Sequence, residues 1–160
     1  MKQHRDYIYD WLEAVTGLTI WRANQGQDRP EGPYISYQMT NHDEARHPIR
    51  ITNSDYDNPS TTLKSHMTMT ISVNIYDPDG ARWHSKLKRS TYNPTYRRVL
   101  DEGEISLLNF TPTNDLTELG DQFYRDRYQA DYVFNCTDLE TFTPHTFIET
   151  RLVGEVIREG

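Results

Sequence analysis

The side chains able to do chemistry are few and scattered. Six histidines stand at His4, His42, His47, His66, His84 and His145. None forms an i,i+2 pair, and no HExxH array is present; those are the spacings that aim two imidazoles at one zinc ion. His42 and His47 share a stretch with Asp43 and Glu44. That donor set admits a weak metal site, although a solvated polar loop is the simpler reading. The single cysteine, Cys136, can form no internal disulfide. It ends a strand-like run, where a small buried apolar residue is its plainest role.

The motifs of nucleophilic and phosphate chemistry are absent too. GxSxG does not occur, so there is no sign of a nucleophile elbow. Neither GxxxxGKS/T nor GxGxxG occurs, and the eight glycines fall mostly in turns. Asp77-Pro-Asp79 offers two carboxylates, but a turn explains it, and an EF-hand needs further ligands and a Glu at the twelfth position. Arg125-Asp-Arg127 puts two guanidinium groups on one strand face. They could meet DNA phosphate or a partner's acidic residues, or pair with Asp or Glu across their own sheet. No catalytic, cofactor-binding or metal residue is assigned, and no cofactor is expected.

A period-2 stretch dominates the chain. In Ser65-His-Met-Thr-Met-Thr-Ile-Ser-Val-Asn-Ile-Tyr-Asp77, Met67, Met69, Ile71, Val73 and Ile75 share one parity. His66, Thr68, Thr70, Ser72 and Asn74 share the other. This predicts a strand with one face in a core and a polar second face. A similar run, 123–136, places Tyr124, Tyr128, Ala130, Tyr132, Phe134 and Cys136 on one parity. Each run would reach ~40 Å at ~3.3 Å per residue. One helix layer does not cover that length, so these strands are expected to project or to pair between subunits.

The remaining elements follow from local signals. Tyr7, Ile8, Trp11, Leu12 and Val15 draw an apolar helical stripe stopped by Gly17. Short strands are expected at 18–22, 34–40 and 104–110, and a final one at 147–157. Residues 24–33 are dense in turn formers. Residues 41–62 read as a long loop with at most a brief strand at Ile49-Arg-Ile51. Asp77-Pro-Asp-Gly80 is a turn into a helix running from Ala81 to about Leu100, broken or kinked near Pro94. Asp115-Leu-Thr-Glu-Leu119 reads as a helical turn. The class is α+β: a mixed, mostly antiparallel sheet of about four or five strands with two helices, in the order α-β-β-β-α-β-β-β.

Bulk properties narrow the function. A chain of 160 residues suggests one domain, 1–160. Only 35% of its residues are apolar, yet 12% are aromatic, with 11 tyrosines. A thin core rich in Tyr suits assembly with other subunits. The net charge of -7 argues against a general nucleic-acid binder, though not against a channel that lets DNA slide past. The first residues lead into no apolar run, so no secretory signal is expected, and no stretch approaches the ~18 apolar residues of a membrane span. Synthesis and assembly in a reducing cytoplasm are expected.

The order of these elements resembles the phage neck (tail) terminator family. Five features carry the likeness: the N-terminal amphipathic helix followed by Thr19-Ile-Trp-Arg-Ala23; Arg29-Pro-Glu-Gly-Pro-Tyr-Ile-Ser-Tyr37; the long strand 67–76 leading through Asp77-Pro-Asp-Gly80 into a helix; Asn114-Asp-Leu-Thr-Glu-Leu119; and Arg125-Asp-Arg-Tyr-Gln-Ala-Asp-Tyr-Val-Phe134, closing toward a strand with Ile148 and Val156. The resemblance implies a tail-terminator-like fold and a structural virion protein, not an enzyme. Its subunits form a ring, commonly a hexamer, that caps the tail tube, meets the head connector and lets DNA through its lumen. Arg46, Arg50, His66, Asn74, Arg125 and Arg127 are the candidate interface residues. The alternatives are another head-completion or tail-tube component, or a small hydrolase or ligand-binding α/β protein.

Overall fold

The computed structural model describes residues 2–22, 26, 28–53, 55–119 and 124–143. The chain divides into two compact units: residues 1–43 with 67–136, and residues 44–66 with 137–160. The expected strand at 147–157 and His145 lie outside the described residues.

The first unit holds the helices and the core. Helix α1 spans His4–Thr16 and buries Ile8, Trp11, Leu12, Val15 and Thr16, the stripe its spacing predicts. Gln3 and Asp6 form a capping box at its start. Gly17 ends it with φ 68°, in the left-handed region that favours glycine. Strand β1 (Thr19–Trp21) pairs in parallel with β2 (Tyr34–Glu44). Strand β4 (Ser60–Tyr76) turns at Asp77 into α2 (Gly80–Arg89), then a 3₁₀ turn (Ser90–Tyr92) and α3 (Pro94–Glu102). The break expected near Pro94 thus separates two helices. Pro94 starts the second, where its missing N–H costs nothing, and the Asn93 side chain caps it by accepting the Thr95 N–H at 3.0 Å.

Strands β5 (Ile105–Phe110), β6 (Asn114–Asp115), β7 (Glu118–Leu119), β8 (Tyr124–Arg125) and β9 (Tyr128–Phe142) follow. Hydrogen bonding orders them β1-β2-β4-β9-β5, with β6 also on β9, while β7 and β8 form a separate ribbon. The helical turn expected at 115–119 is therefore extended. Its hydrophobic spacing is too short to specify a period, and pairing with neighbouring strands satisfies its backbone instead.

β4 and β9 are central. Met69, Ile71, Val73 and Ile75 are buried on one, and Ala130, Tyr132, Phe134 and Cys136 on the other. Trp11 meets Tyr132 and Phe134 edge-on, with ring centroids 5.8 and 5.5 Å away. Its indole N–H donates to the Ser90 hydroxyl at 2.9 Å. Gly80 lets α2 approach the sheet: a Cβ there would come within 2.9 Å of Tyr128 Cγ.

His84 links α2 to β9. Nε2 lies 2.9 Å from the Tyr128 carbonyl, and Nδ1 lies 2.7 Å from the Tyr132 hydroxyl. A carbonyl only accepts, so Nε2 carries the proton and Nδ1 accepts from Tyr132. Burial, opposed by the Tyr128 hydrogen bond, holds the imidazole down to about 4 from its ordinary 6.5, and Lys88 adds to the lowering. Burial raises the Tyr132 phenol.

In the second unit, β3 (Ile49–Asn53) pairs antiparallel with the start of β4, Ile49 opposite Lys64 and Asn53 opposite Ser60. The Thr62 and Thr141 hydroxyls lie 3.0 Å apart, and Ala45 N–H donates to the His66 carbonyl at 2.8 Å. Much of the expected 41–62 loop is thus strand. All five residues of β3 are exposed. The brief strand expected at Ile49-Arg-Ile51 is present and runs on to Asn53; with no buried face, no longer alternation marks its extent.

Two outcomes follow. Val73→Asp puts an unpaired carboxylate in the core at a cost of several kcal/mol or more; the variant is expected to be insoluble or to lack a cooperative melt. A soluble variant with a sharp transition would contradict the assigned strand face. His84 also makes stability depend on pH. Its folded form refuses a proton that the unfolded chain accepts near 6.5, so its contribution is complete above that pH. As pH falls from 6.5 towards 4, ~3 kcal/mol is lost. Urea midpoints across this range are expected to fall less steeply in His84→Gln, and equal slopes would contradict the assignment.

Candidate assembly surfaces

The opposite face of β4 and β9, within the first unit, is a ladder of polar side chains. Arg127 Nε donates to Asn74 Oδ1 at 2.9 Å. Gln129 Nε2 reaches Ser72 Oγ at 2.9 Å and Asp131 Oδ1 at 2.7 Å. Between these pairs the residue number rises along β9 as it falls along β4, which marks antiparallel neighbours. Asn74, Ser72, Arg127, Gln129 and Asp131 are all half-buried. The polar parity of the sequence is thus knitted across strands, and Arg127 finds an amide where a carboxylate or phosphate was also possible.

At one end of this face Tyr34 stacks on Tyr76, centroids 4.5 Å apart and planes 14° from parallel. Burial pushes the Tyr34 phenol up, and Tyr76 adds to it. The pair lines an open cleft of about 380 Å³ with Pro30, Pro33, Pro78, Arg125 and others. Exposed Arg125 stands on the β8 ribbon, paired with Glu118 in its register. The cleft joins flat aromatic rings to a guanidinium, a combination suited to protein surfaces.

The structure therefore brings Asn74 and Arg127 together. It places Arg125 at a cleft shared with Tyr76, the next residue but one after Asn74 on β4. Arg46, exposed in a bend, exposed Arg50 on β3, and half-buried His66 on β4 belong to the second unit. His42 and His47 fall in different units.

One feature escaped the motif reading. Residues 80–100 carry six of the 17 lysines and arginines (Arg82, Lys86, Lys88, Arg89, Arg97, Arg98) and no carboxylate. Arg97 and Arg98 reach Asp101 and Glu102 one helical turn on, at 3.6 and 3.4 Å, in exposed pairs. On α2, Arg82, Lys86 and Arg89 border a cleft of about 420 Å³ beside Trp83. The Trp83 indole N–H is buried with no hydrogen-bond partner among the described residues, and Lys86 lies 5.6 Å from the ring centroids of both Trp83 and Tyr96. This patch can hold carboxylate or phosphate oxygens against a chain of overall charge -7. The signal was available as a charge run: a helix of ten residues with cations only.

Leu108 and Phe110 stand exposed on β5, which ends the strand order. A register shift between Leu107 and Asn109 bends this edge strand. Phe110 is opposite buried Tyr132 and lies 5.2 Å from Lys88 Nζ. An edge strand with exposed apolar residues suits pairing with another chain.

Asn74 and Arg127 form an unusual bond for an open surface, so its strength can be read directly. Asn74→Ala and Arg127→Ala are each expected to cost about 1 kcal/mol in urea unfolding. The double variant is expected to cost less than their sum, and strict additivity would show the pair to be uncoupled.

The family model described as phage neck terminator protein matches residues 2–157, nearly the whole chain, and the chain belongs to that family. No curated protein matches it. The family gives a structural role in the phage tail or neck. Among the described residues, no helix is long and apolar enough to cross a membrane.

Proposed function

We propose that this chain is the subunit of a ring, a homohexamer, that terminates the tail tube and joins it to the head connector. Its partners are copies of itself, the tail tube protein and the connector or adaptor protein, and DNA passes through the lumen without sequence-specific binding. It works in the virion neck after assembly in the host cytoplasm. The observation that carries this reading is the two-faced central sheet of a neck terminator. One face is sealed under three helices, and the other offers a half-buried polar ladder, stacked tyrosines and Arg125 to a neighbour.

The second unit supplies a further contact between copies. Ile49 and Ile51 are each 52% exposed, and Leu139 is 54% exposed. Covering these exposed apolar side chains on a neighbouring subunit would remove them from water. Arg46 and Arg50 flank them and can pair with carboxylates of a chain whose net charge is -7. An enzyme reading has less support. His84, the most deeply placed histidine among those described, has both ring nitrogens occupied within the core.

The solution mass of the purified chain tests this reading. A closed oligomer, or self-association that grows with concentration, is expected, and negative-stain images should show rings with a central opening. Ile49→Asp with Ile51→Asp is expected to shift the mass towards one copy while leaving the helical circular dichroism unchanged. A chain that stays monomeric at high concentration, and adds neither to tails nor to connectors, would overturn the proposal.

A further inference from the structure

The fold gathers three metal-ligating side chains that the sequence keeps far apart. His4 opens α1, His42 stands on β2, and Cys136 ends the buried run of β9. One ligand atom from each lies within 4.8 Å of the other two. The two imidazole rings meet edge to face, with centroids 6.3 Å apart and planes at 73°. Among the described residues this is the one grouping of three or more His, Cys, Asp or Glu within such reach.

We propose that His4, His42 and Cys136 form a binding site for zinc. The donor set decides the ion: a thiolate with two imidazoles is soft, and it favours zinc over the oxygen-seeking magnesium and calcium. Bond lengths of about 2.0–2.1 Å to nitrogen and 2.3 Å to sulfur place tetrahedral ligand atoms ~3.4–3.6 Å apart. The three atoms therefore need to close by at most ~1.4 Å. Cys136 is fully buried and held by its strand, whereas His42 is exposed and His4 half-buried. The imidazoles turn inward onto a fixed sulfur. Solvent on the His42 side supplies a water as fourth ligand, or a partner's side chain takes that place. The thiol gives up its proton to solvent as the metal–sulfur bond forms, so binding tightens with rising pH.

Such an ion would tie the start of α1 to β2 and β9. This gives Cys136 a role beyond a small core residue, and it stands whether or not the chain forms a ring. Binding to the folded form alone raises the melting temperature as zinc is added.

The test uses the untagged full-length chain, reduced, with zinc and with cobalt as its spectroscopic substitute. Equilibrium dialysis against a chelator is expected to give one zinc per chain. Cobalt should show a thiolate-to-metal charge-transfer band and the intense visible bands of four-coordination. Loss of an outer partner alone typically weakens a metal site ~10–100-fold, so His42→Ala is expected to weaken zinc binding ~100-fold or more, with unchanged circular dichroism. His47→Ala should bind as the unaltered chain does. Cys136→Ser should abolish the charge-transfer band; if it does not fold, His42→Ala and His4→Ala still decide. No retained zinc, a cobalt spectrum without the thiolate band, or undiminished binding by His42→Ala would overturn the site.

Discussion

The fold rests on Trp11 set edge-on against Tyr132 and Phe134. This contact seals the inner face of the central strands under α1. A buried indole must also satisfy its N–H. Here the Ser90 hydroxyl accepts it and in turn donates to the Leu87 carbonyl at 2.6 Å. The 3₁₀ turn between α2 and α3 is therefore positioned by a polar chain that begins in α1. His84 makes the parallel link from α2 to β9. Hydrogen bonds inside an apolar layer thus fix α2 to the sheet and α1 to the turn that follows α2, where a lost partner is costly.

One-sided burial then sets what the other face can be. Strands that alternate strictly must carry their polar residues outward together. On this face Asn74 bonds to Arg127, and Gln129 to Ser72 and Asp131, in a patterned surface. A neighbouring subunit can dock on such a face without leaving many buried polar atoms unsatisfied, because most partners are already supplied. The aromatic cleft at Tyr34 and Tyr76 adds apolar contact. The cationic α2 supplies the opposite charge in an acidic chain.

For a structural neck protein this division of labour is economical of core. Only 35% of the residues are apolar, and among the described residues the buried ones form one cluster between the helices and the central strands. Among its described residues the second unit buries little. Its strands are defined by backbone pairing and carry exposed isoleucines and arginines, which is the composition of a contact surface.

Much of the inner layer was legible in the sequence. The stripe on α1, the stop at Gly17 and the alternation from Met67 to Ile75 and from Ala130 to Cys136 are each local patterns whose period is dictated by one buried face. Exposed or very short strands left little pattern: only Ile49-Arg-Ile51 hinted at β3, which has no buried side, and β6 and β7 are two residues each. Their extended form depends on which strand lies beside them, and that is settled by non-local hydrogen bonds. The same limit applies to the surfaces. Residue parity already separated Asn74 and Arg127 from the core, but only the register of β4 against β9 joins them. His4, His42 and Cys136 share no spacing at all. They meet because a helix end and two strands converge, and no one-dimensional pattern records a convergence of segments.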